Sequence, residues 1–368
     1  MKHKTLKLSI ICILNVILAT IMPHITSAKA INLQNSVEYR ANDYSSEIVM
    51  DVNTNRVLYS NNANAKKYMA STTKILTALC IIENCDLNEN VKISKNTIGI
   101  EGSSIYLEEG EVLSVKDLLY GLMLRSGNDC AETLAVHCCG SVEKFAKLMN
   151  NRAREIGAKS SNFVNPHGLH DDNHYTTAYD LALISSEAIK NADFKDICST
   201  KSVDIPFTTQ NSKRHLVNKN KMLNKMDGCT GIKTGFTKKA GRCLVTSCER
   251  NGLELVSVVL NCGPMWERST SILQNAFESY HSYNVVKKDE IIDFVKINGT
   301  NEEIPVTVKN DVILPLTNTE KSTLIFEIEY IEEIKKPLSK DTEIGLIKFY
   351  SKNNLIFSEK IYTILNVD

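Results

Sequence analysis

The sequence lacks an excess of charge of either sign, a paired-cysteine motif and any internal repeat. Lys+Arg and Asp+Glu both number 43 in 368 residues, so the zero net charge gives no electrostatic footprint for nucleic acid. No Cys-x-x-Cys pair is present for zinc or thiol redox chemistry. The composition, 43% hydrophobic and 23% charged, is that of an ordinary globular protein long enough for two domains.

The apolar run at the N-terminus is too short for an ordinary membrane span. It extends from Leu8 to Ile21, about 14 residues, whereas a helix needs about 20 to cross a bilayer. Lysines precede the run, and the Ala-Lys-Ala of residues 28–30 fits a cleavage site. The pattern predicts a signal peptide over residues 1–30 and an exported protein at the cell wall or membrane periphery. An uncleaved anchor is the alternative.

Export affects the interpretation of the 11 cysteines, ten of which lie between Cys80 and Cys262. Their spacing does not resemble a disulfide framework, since Cys138 and Cys139 are adjacent and others lie within apolar stretches. A chain of this length can bury a core without disulfides. We therefore interpret the cysteines as small buried hydrophobic residues. Disulfides are the alternative, because exported chains usually oxidise.

The secondary-structure pattern divides the chain into two parts. Strand patterns come early, helical patterns follow, and strands return before a final helix, which predicts an α+β domain whose sheet pairs the two ends of the segment. The predicted elements are strands at 46–51 and 56–60, helices at 72–84, 115–140 (broken at 126–128) and 141–156, a helix opening at Thr177, strands within 231–263 and a helix at 264–280. Polar breaks every eight to twelve residues predict a small all-β domain over 284–368, after a first domain at 31–283.

Three short motifs occur in one order along the first domain: Ser71-Thr72-Thr73-Lys74, Ser126-Gly127-Asn128 and Lys233-Thr234-Gly235. A serine hydroxyl needs an adjacent base to act as a nucleophile, and a lysine three residues on lies on the same helix face. Ser71 would begin a helix that enters the core, where backbone N–H groups favour a developing anion. The alternative is a plain N-cap, which is our interpretation of Ser141 in the second Ser-x-x-Lys of the chain.

The other two motifs complete a candidate acyl-transfer site. The Ser126 motif is a polar break between two apolar helices, which would point its side chains into an interior cleft; a plain turn is the alternative. Alternation along a strand puts the side chains of Lys233 and Gly235 on one face of the sheet and that of Thr234 on the other. If both Lys233 and Thr234 contribute to one site, strand twist or a bulge must reduce this separation. A strand glycine often marks close approach of a ligand or backbone. An exposed edge strand is the alternative.

In this order the motifs resemble those of class A β-lactamases and penicillin-binding proteins. The Ser-Gly-Asn form, Asn165-Pro-His-Gly-Leu169 and residues 227–235 most closely resemble low-molecular-mass penicillin-binding proteins that are serine-type D-alanyl-D-alanine carboxypeptidases, over about residues 39–280. The resemblance implies a β-lactamase/transpeptidase-like α+β domain, an antiparallel sheet with helices on both faces and a helical lobe, followed by the family's all-β domain. It implies no cofactor.

The resemblance also implies catalytic roles. Ser71 would attack the carbonyl between the last two D-alanines of a peptidoglycan stem peptide, Lys74 would take its proton, and Ser126 would relay a proton to the departing D-alanine. Backbone N–H groups of Ser71 and Phe236 would form the oxyanion hole. Water would then release the acyl-enzyme, whereas β-lactam antibiotics would stall as acyl adducts.

Substrate-binding residues follow from the same resemblance. Asn128 would hold a substrate amide, and Lys233 and Thr234 would bind the terminal carboxylate on the strand segment completed by Gly235 and Phe236. The partners expected are therefore a stem peptide ending in D-Ala-D-Ala and β-lactams as inhibitors, without nucleic acid. Residues 361–368 resemble a strand rather than an amphipathic helix, which leaves membrane association open.

The sequence also bears on three alternatives. A β-lactamase-related hydrolase would need a deacylating Glu-x-x-Leu-Asn motif, which the sequence lacks. A non-catalytic penicillin- or peptidoglycan-binding protein would not need the full set of catalytic side chains that is present. A metal site at His167, His170 and His174 is disfavoured, because their spacing and the intervening glycine and aspartates indicate a loop.

Overall fold

The computed structural model describes residues 4–6 and 45–368 of the chain. The predicted signal peptide at 1–30 and Cys12 lie outside the described residues, apart from residues 4–6. Cleavage of the first 30 residues thus stays a prediction. Among residues 4–6 and 45–368, no helix combines the length and the apolar character that crossing a bilayer requires.

The described strands fall into two large sheets and three two-stranded ribbons. They are β1 (Lys4–Leu6), β2 (Ser46–Asp51), β3 (Val57–Asn61), β4 (Asn90–Lys92), β5 (Val112–Ser114), β6 (Ser202–Phe207), β7 (Ser212–Val217), β8 (Cys229–Thr237), β9 (Gly241–Arg250), β10 (Leu253–Leu260), β11 (His281–Val286), β12 (Asp293–Lys296), β13 (Glu303–Thr307), β14 (Val312–Leu316), β15 (Leu324–Tyr330), β16 (Glu343–Ser351) and β17 (Asn354–Thr363).

The helices lie mainly between the early and late strands of the first domain. They are α1 (Lys74–Asn84), α2 (Val115–Leu124), α3 (Asn128–Cys139), α4 (Val142–Ile156), α5 (Ala178–Lys190), α6 (Ala192–Ser199), α7 (Met222–Lys225), α8 (Met265–Ser279) and α9 (Asn318–Ser322). Ser141 caps α4, since its Oγ accepts a hydrogen bond from the Lys144 N–H at 3.3 Å. The interpretation of Ser141 as an N-cap is confirmed.

The central sheet of the first domain has the antiparallel order β3-β2-β10-β9-β8. It joins the early and late strands, as the sequence predicts. Along β2, Ile48 and Met50 pack into one hydrophobic core with α1 and α5, whereas Val49 packs into a second core with α8. This alternation follows from the two-residue period of a strand, and it places helices on both faces of the sheet. The α+β prediction is confirmed.

A helical lobe formed by α2, α3 and α4 packs beside α1, which is buried over its first eight residues, Lys74–Ile81. The lobe contains the predicted break: α2 ends at Leu124 and α3 begins at Asn128. Of the ten cysteines in the described part of the chain, six are buried and four half-buried, and all are free thiols. Burial agrees with their interpretation as small hydrophobic residues, and their redox state stays a prediction.

The C-terminal part has a core of its own beneath the sheet β1-β15-β16-β17-β13-β12 and the ribbon β11–β14. Val306, Leu314, Ile347 and Ile361 are among its completely buried residues. The all-β prediction holds apart from the short helix α9. The predicted boundary between residues 283 and 284 falls within β11 and stays a prediction.

Arg56 links the two parts. Its guanidinium donates to the carbonyl of Pro315, forms an ion pair with Glu320 and lies 5.4 Å from the centre of the Tyr280 ring. The Arg56 side chain is 14% exposed and that of Glu320 20%, so solvent screens this ion pair less than a surface pair. The first domain is therefore joined to strand β14 and helix α9 of the C-terminal part by a charged, partly buried contact.

Candidate active site

Ser71 lies in a tight turn that leads directly into a buried helix. The sequence predicts a helix from residue 72, whereas the structure has a 3-10 helix over Ala70–Thr73 and only then α1. The turn is held by its own side chains: Thr72 Oγ1 donates to the Met69 carbonyl at 2.6 Å and Thr73 Oγ1 to the Ala70 carbonyl at 2.8 Å. Ala70 has a φ of 47°, a conformation that costs energy for a non-glycine residue. The chain thus holds Ser71 at a strained bend.

Lys74 is buried completely, and its amine lies among three oxygen atoms. Nζ is 3.3 Å from Oγ of Ser71, 2.7 Å from Oδ1 of Asn128 and 2.6 Å from the carbonyl oxygen of His167. Burial, and secondly the charge of Lys233, hold the pKa of Lys74 well below its usual range. A lysine with a lowered pKa beside a serine hydroxyl can accept the proton of that hydroxyl.

Lys233 is the second buried ammonium of the site, with 2% of its surface exposed. Its Nζ donates to the carbonyl of Thr234 at 3.0 Å. Burial, and then the charge of Lys219, lower the pKa of Lys233 to about 7. It thus carries a positive charge below about pH 7, which would attract a carboxylate.

The strand that carries Lys233 packs against the turn that carries Ser71. Lys233 and Gly235 are buried and Thr234 is half-buried, and the bulge in β8 lies upstream, between Cys229 and Gly231. The bulge thus lies outside the motif, so a shared role for Lys233 and Thr234 requires the twist of the strand. A Cβ at Gly235 would lie 3.0 Å from both the Met69 carbonyl oxygen and the Ser71 nitrogen. A side chain at this position would force its neighbours to shift by a few tenths of an ångström, so glycine allows the close contact that the sequence predicts.

Ser126 and Asn128 stand at the junction of α2 and α3. Ser126 has a φ of 65° and is 5% exposed, and within the described residues its Oγ has no hydrogen-bond partner. A buried hydroxyl without a partner is destabilising unless a bound group satisfies it. Asn128 is fixed by its backbone N–H, which donates to the Ser103 carbonyl at 2.7 Å, and by its side-chain amide, which donates to the Glu101 carbonyl.

His167 and His174 support the lysine and the turn, which the sequence alone did not indicate. Nε2 of His174 lies 2.7 Å from Oγ1 of Thr73, and its Nδ1 accepts from the Val164 N–H at 3.1 Å. Burial lowers the pKa of His174 to about 4 and that of His167 to about 3, so both rings are neutral near pH 7. His170 instead faces Asp172 at 3.4 Å. Among the described residues no three His, Cys, Asp or Glu side chains form a metal-binding group.

A loop between β4 and β5 supports α3, a role that the sequence analysis did not predict either. The carboxylate of Asp129 accepts from Oγ of Ser104 at 2.6 Å and from the N–H of Leu107 at 3.1 Å. At the end of the loop, Glu111 is completely buried and pairs with Arg214 of β7 at 2.6 Å. The loop that fixes Asn128 is thus itself tied to the β6–β7 ribbon.

The structure therefore brings together residues from all three motifs. Ser71, Lys74 and Asn128 are joined through Lys74 Nζ, Gly235 adjoins the Ser71 backbone, and Lys233 is close enough to lower the pKa of Lys74. Phe236 is 63% exposed, so only its backbone could contribute to an oxyanion hole. The arrangement places a serine hydroxyl beside a buried amine and near a second buried lysine, which suits acyl transfer to a substrate that carries a carboxylate.

Comparison with known proteins agrees with this chemistry. The family model of D-alanyl-D-alanine carboxypeptidases matches residues 33–263, and that of the C-terminal domain of penicillin-binding protein 5 matches residues 280–368. The D-alanyl-D-alanine carboxypeptidase DacF of Bacillus subtilis (strain 168) is 32% identical over 317 residues, which cover 83% of this chain and 81% of that protein.

Solved structures give the same result. Penicillin-binding protein 5 from Haemophilus influenzae superposes with a TM-score of 0.77 at 26% identity, over 87% of this chain and 96% of that one. A mutant of the Streptomyces K15 DD-transpeptidase superposes with a TM-score of 0.58 at 31% identity, over 62% of this chain and 95% of that one.

Proposed function

The chain belongs to the D-alanyl-D-alanine carboxypeptidase family and is a serine-type carboxypeptidase of the penicillin-binding type, and we propose that Ser71 is its nucleophile. The observation that carries this assignment is the contact of 3.3 Å between Ser71 Oγ and the buried amine of Lys74. The reaction removes the terminal D-alanine from peptidoglycan stem pentapeptides through an acyl-enzyme.

Acylation begins with neutral Lys74. Its amine accepts the proton of Ser71 as Oγ forms a bond to the carbonyl carbon of the penultimate D-alanine. The negative charge that develops on the carbonyl oxygen is stabilised by the N–H groups of Ser71 and Phe236. Each such donor is worth about 3–4 kcal/mol of barrier in enzymes where one has been removed. The close packing of Gly235 on the Ser71 nitrogen supports this placement.

Ser126 relays to the nitrogen of the departing D-alanine the proton that Lys74 has taken from Ser71. It donates its own hydroxyl proton as it accepts one from the Lys74 ammonium, so that the C–N bond breaks with a neutral amine as leaving group and Lys74 is neutral again. The support is the buried Oγ of Ser126, whose hydrogen-bonding capacity no group among the described residues satisfies. Water then attacks the ester carbonyl and restores Ser71. A penicillin follows the same first step and remains attached as an acyl adduct.

Lys233 and Thr234 bind the terminal carboxylate, and Asn128 binds a substrate amide. The burial of Lys233 supports its role in binding the carboxylate, because a cation in a poorly hydrated site attracts a carboxylate more strongly than a cation in water does. The Asn128 side chain already contacts Lys74, which places it beside the reacting groups.

The proposed reaction also bears on where the protein acts and how its domains are divided. Peptidoglycan lies outside the cytoplasm, so we place the enzyme there, exported by a signal peptide at 1–30. The penicillin-binding carboxypeptidase domain spans 31–283 and a C-terminal all-β domain spans 284–368. The separate hydrophobic core beneath β11–β17 supports the division.

The test uses the purified chain with a fluorescent penicillin and, separately, with diacetyl-Lys-D-Ala-D-Ala. We expect one covalent label per chain and release of free D-alanine. Labelling without D-alanine release would favour the non-catalytic binding protein. Rapid loss of the label with penicillin turnover would favour the β-lactamase-related hydrolase. Failure of both signals in folded protein would overturn the assignment.

A further inference from the structure

Two of the free thiols face each other across the strands β8 and β9. Cys229 and Cys248 are register partners in this antiparallel pair. Partners in such a pair have Cα atoms about 4.5–5.5 Å apart, and a disulfide spans about 4.4–6.8 Å between Cα atoms. The backbone distance that the register sets therefore suits a covalent bond between these two residues.

Both side chains lie on the face of the sheet that packs against α8. Cys248 belongs to the hydrophobic core that contains Leu273 of α8, and Cys229 packs against the same core. Cys243 of β9 instead lies in the core on the opposite face, together with residues of α1. The side chain of Cys229 can thus meet that of Cys248 but not that of Cys243.

The two thiols differ in exposure and in acidity. Cys248 is buried, whereas Cys229 is half-buried and so more accessible to a solute. A hydrogen bond from the Cys248 thiol lowers the pKa of Cys229, and the same bond, and secondly burial, raise the pKa of Cys248. Because the thiolate is the nucleophile in disulfide exchange, Cys229 is the thiol that reacts first with an oxidant.

We propose that Cys229 and Cys248 form a disulfide in the exported enzyme, with a low-molecular-mass disulfide as the oxidant. The Cys229 thiolate attacks one sulfur of the oxidant, and the other half of the oxidant leaves as a thiolate. Cys248 then loses its proton and attacks the Cys229 sulfur of the mixed disulfide, which releases the second half. Two protein thiols are oxidised, one disulfide is reduced, and the two thiols it yields take up the protons that the cysteines lose.

The bond would fasten the hairpin that carries the third motif. Residues 230–247, which it would enclose, include the whole Lys233 motif. Cys229 already contacts this segment, since its thiol donates to the Gly231 carbonyl at 3.3 Å. Disulfides persist outside the cytoplasm, where the reductants of the cytosol are absent. The inference rests on the proposed function in this respect alone, because that function places the enzyme outside the cytoplasm.

The test treats the reduced, folded protein with oxidised glutathione, alkylates the remaining thiols in denaturant and digests the protein with trypsin. We expect a cross-link between the peptides 226–233 and 243–250, which contain Cys229 and Cys248. The oxidised protein should have a Tm about 5 °C above that of the reduced protein, because the bond closes a loop of the chain. Cys229→Ser and Cys248→Ser should each lose both effects.

Cys243→Ser is the matched control, because Cys243 lies in the same strand and tryptic peptide as Cys248 but on the other face of the sheet. It should retain the cross-link and the rise in Tm. A glutathione adduct on Cys229 without a cross-link, or a bond from Cys229 to Cys198, would overturn this inference.

The same samples are treated with fluorescent penicillin and with diacetyl-Lys-D-Ala-D-Ala, so that the two assignments can fail separately. A protein that is labelled and releases D-alanine but forms no cross-link would overturn this inference alone. A folded, cross-linked protein that shows neither activity would overturn the proposed function, whereas the bond between Cys229 and Cys248 would stand.

Discussion

Nζ of Lys74 lies 2.7 Å from Oδ1 of Asn128 and 3.3 Å from Oγ of Ser71. A neutral amine has two N–H donors and one lone pair. Asn128 and the carbonyl of His167, 2.6 Å away, occupy the two donors, which leaves the lone pair directed at Ser71. The first two motifs are therefore coupled, since the Asn128 amide of the second orients the Lys74 amine of the first.

Substitution of the two Ser-x-x-Lys serines should separate the nucleophile from a helix cap. Ser71→Ala should abolish both penicillin labelling and D-alanine release, because no other hydroxyl contacts Lys74 among the described residues. Ser141→Ala should retain both activities and lose about 1 kcal/mol of folding stability, the usual cost of an N-cap. Labelling by gel fluorescence and urea unfolding measure the two effects. The reverse pattern would mean that Ser141 is the nucleophile.

The pH dependence should have two limbs that belong to two lysines. The neutral fraction of Lys74 grows as pH rises through its lowered pKa, so kcat/KM should increase there. The pKa of Lys233 is lowered to about 7, so its charge and its hold on the substrate carboxylate should be lost above that pH. Since arginine stays charged, Lys233→Arg should remove the fall above pH 7 while the rising limb remains. The measurement is kcat/KM of the wild-type and Lys233→Arg enzymes as a function of pH, on both sides of the Lys233 pKa. The same decrease at alkaline pH in both enzymes would contradict the role of Lys233.

Gly235→Ala should impair acylation without unfolding the protein. The new methyl group would lie 3.0 Å from the Ser71 nitrogen and the Met69 carbonyl, so β8 or the turn must move. A displacement of a few tenths of an ångström should slow penicillin acylation by on the order of tenfold, less than the roughly 100-fold that a misplacement of about 1 Å can cost. Gly263→Ala is the control, because nothing lies within 4 Å of a Cβ there. Stopped-flow measurement of penicillin acylation compares the two variants. Equal acylation rates would show that the contact of Gly235 with the Ser71 turn has no role in acylation.

The ion pair of Arg214 and Glu111 should contribute strongly to stability, because the two side chains are only 9% and 0% exposed. Arg214→Met leaves a buried carboxylate without its partner, and we expect a loss of about 3–5 kcal/mol in the free energy of unfolding. Lys335→Met removes a pair with Glu333 in which both side chains are more than half exposed, and it should change little. Urea unfolding measures both; similar values would contradict the assignment.

The sequence predicts the long helices and the central strands of the first domain closely, because their hydrophobic periods and breaks are pronounced. It does not predict the ribbons β4–β5 and β6–β7 or helix α6. The strand at 46–51 has the predicted bounds, and the break at 126–128 separates α2 from α3. The bend at Ser71 was predicted as the start of an ordinary helix. The 3-10 turn depends on Thr72 and Thr73 bonding to their own backbone, a choice that composition does not determine.

The supporting residues of the site could not be predicted in the same way. His167 contacts Lys74 through a main-chain carbonyl, a group that every residue has, so its side chain gives no signal. His174 meets Thr73 across 101 positions of sequence. The left-handed backbone of Ser126 is fixed by the packing of α2 against α3 rather than by a glycine. Each of these depends on tertiary contacts, whereas the motif side chains are visible in the sequence itself.

Arg56 reaches from the first domain to Pro315 and Glu320 of the C-terminal part. Replacing it would leave the half-buried carboxylate of Glu320 without its cation. The contact between the two parts would therefore weaken although no residue of the Ser71 site is changed.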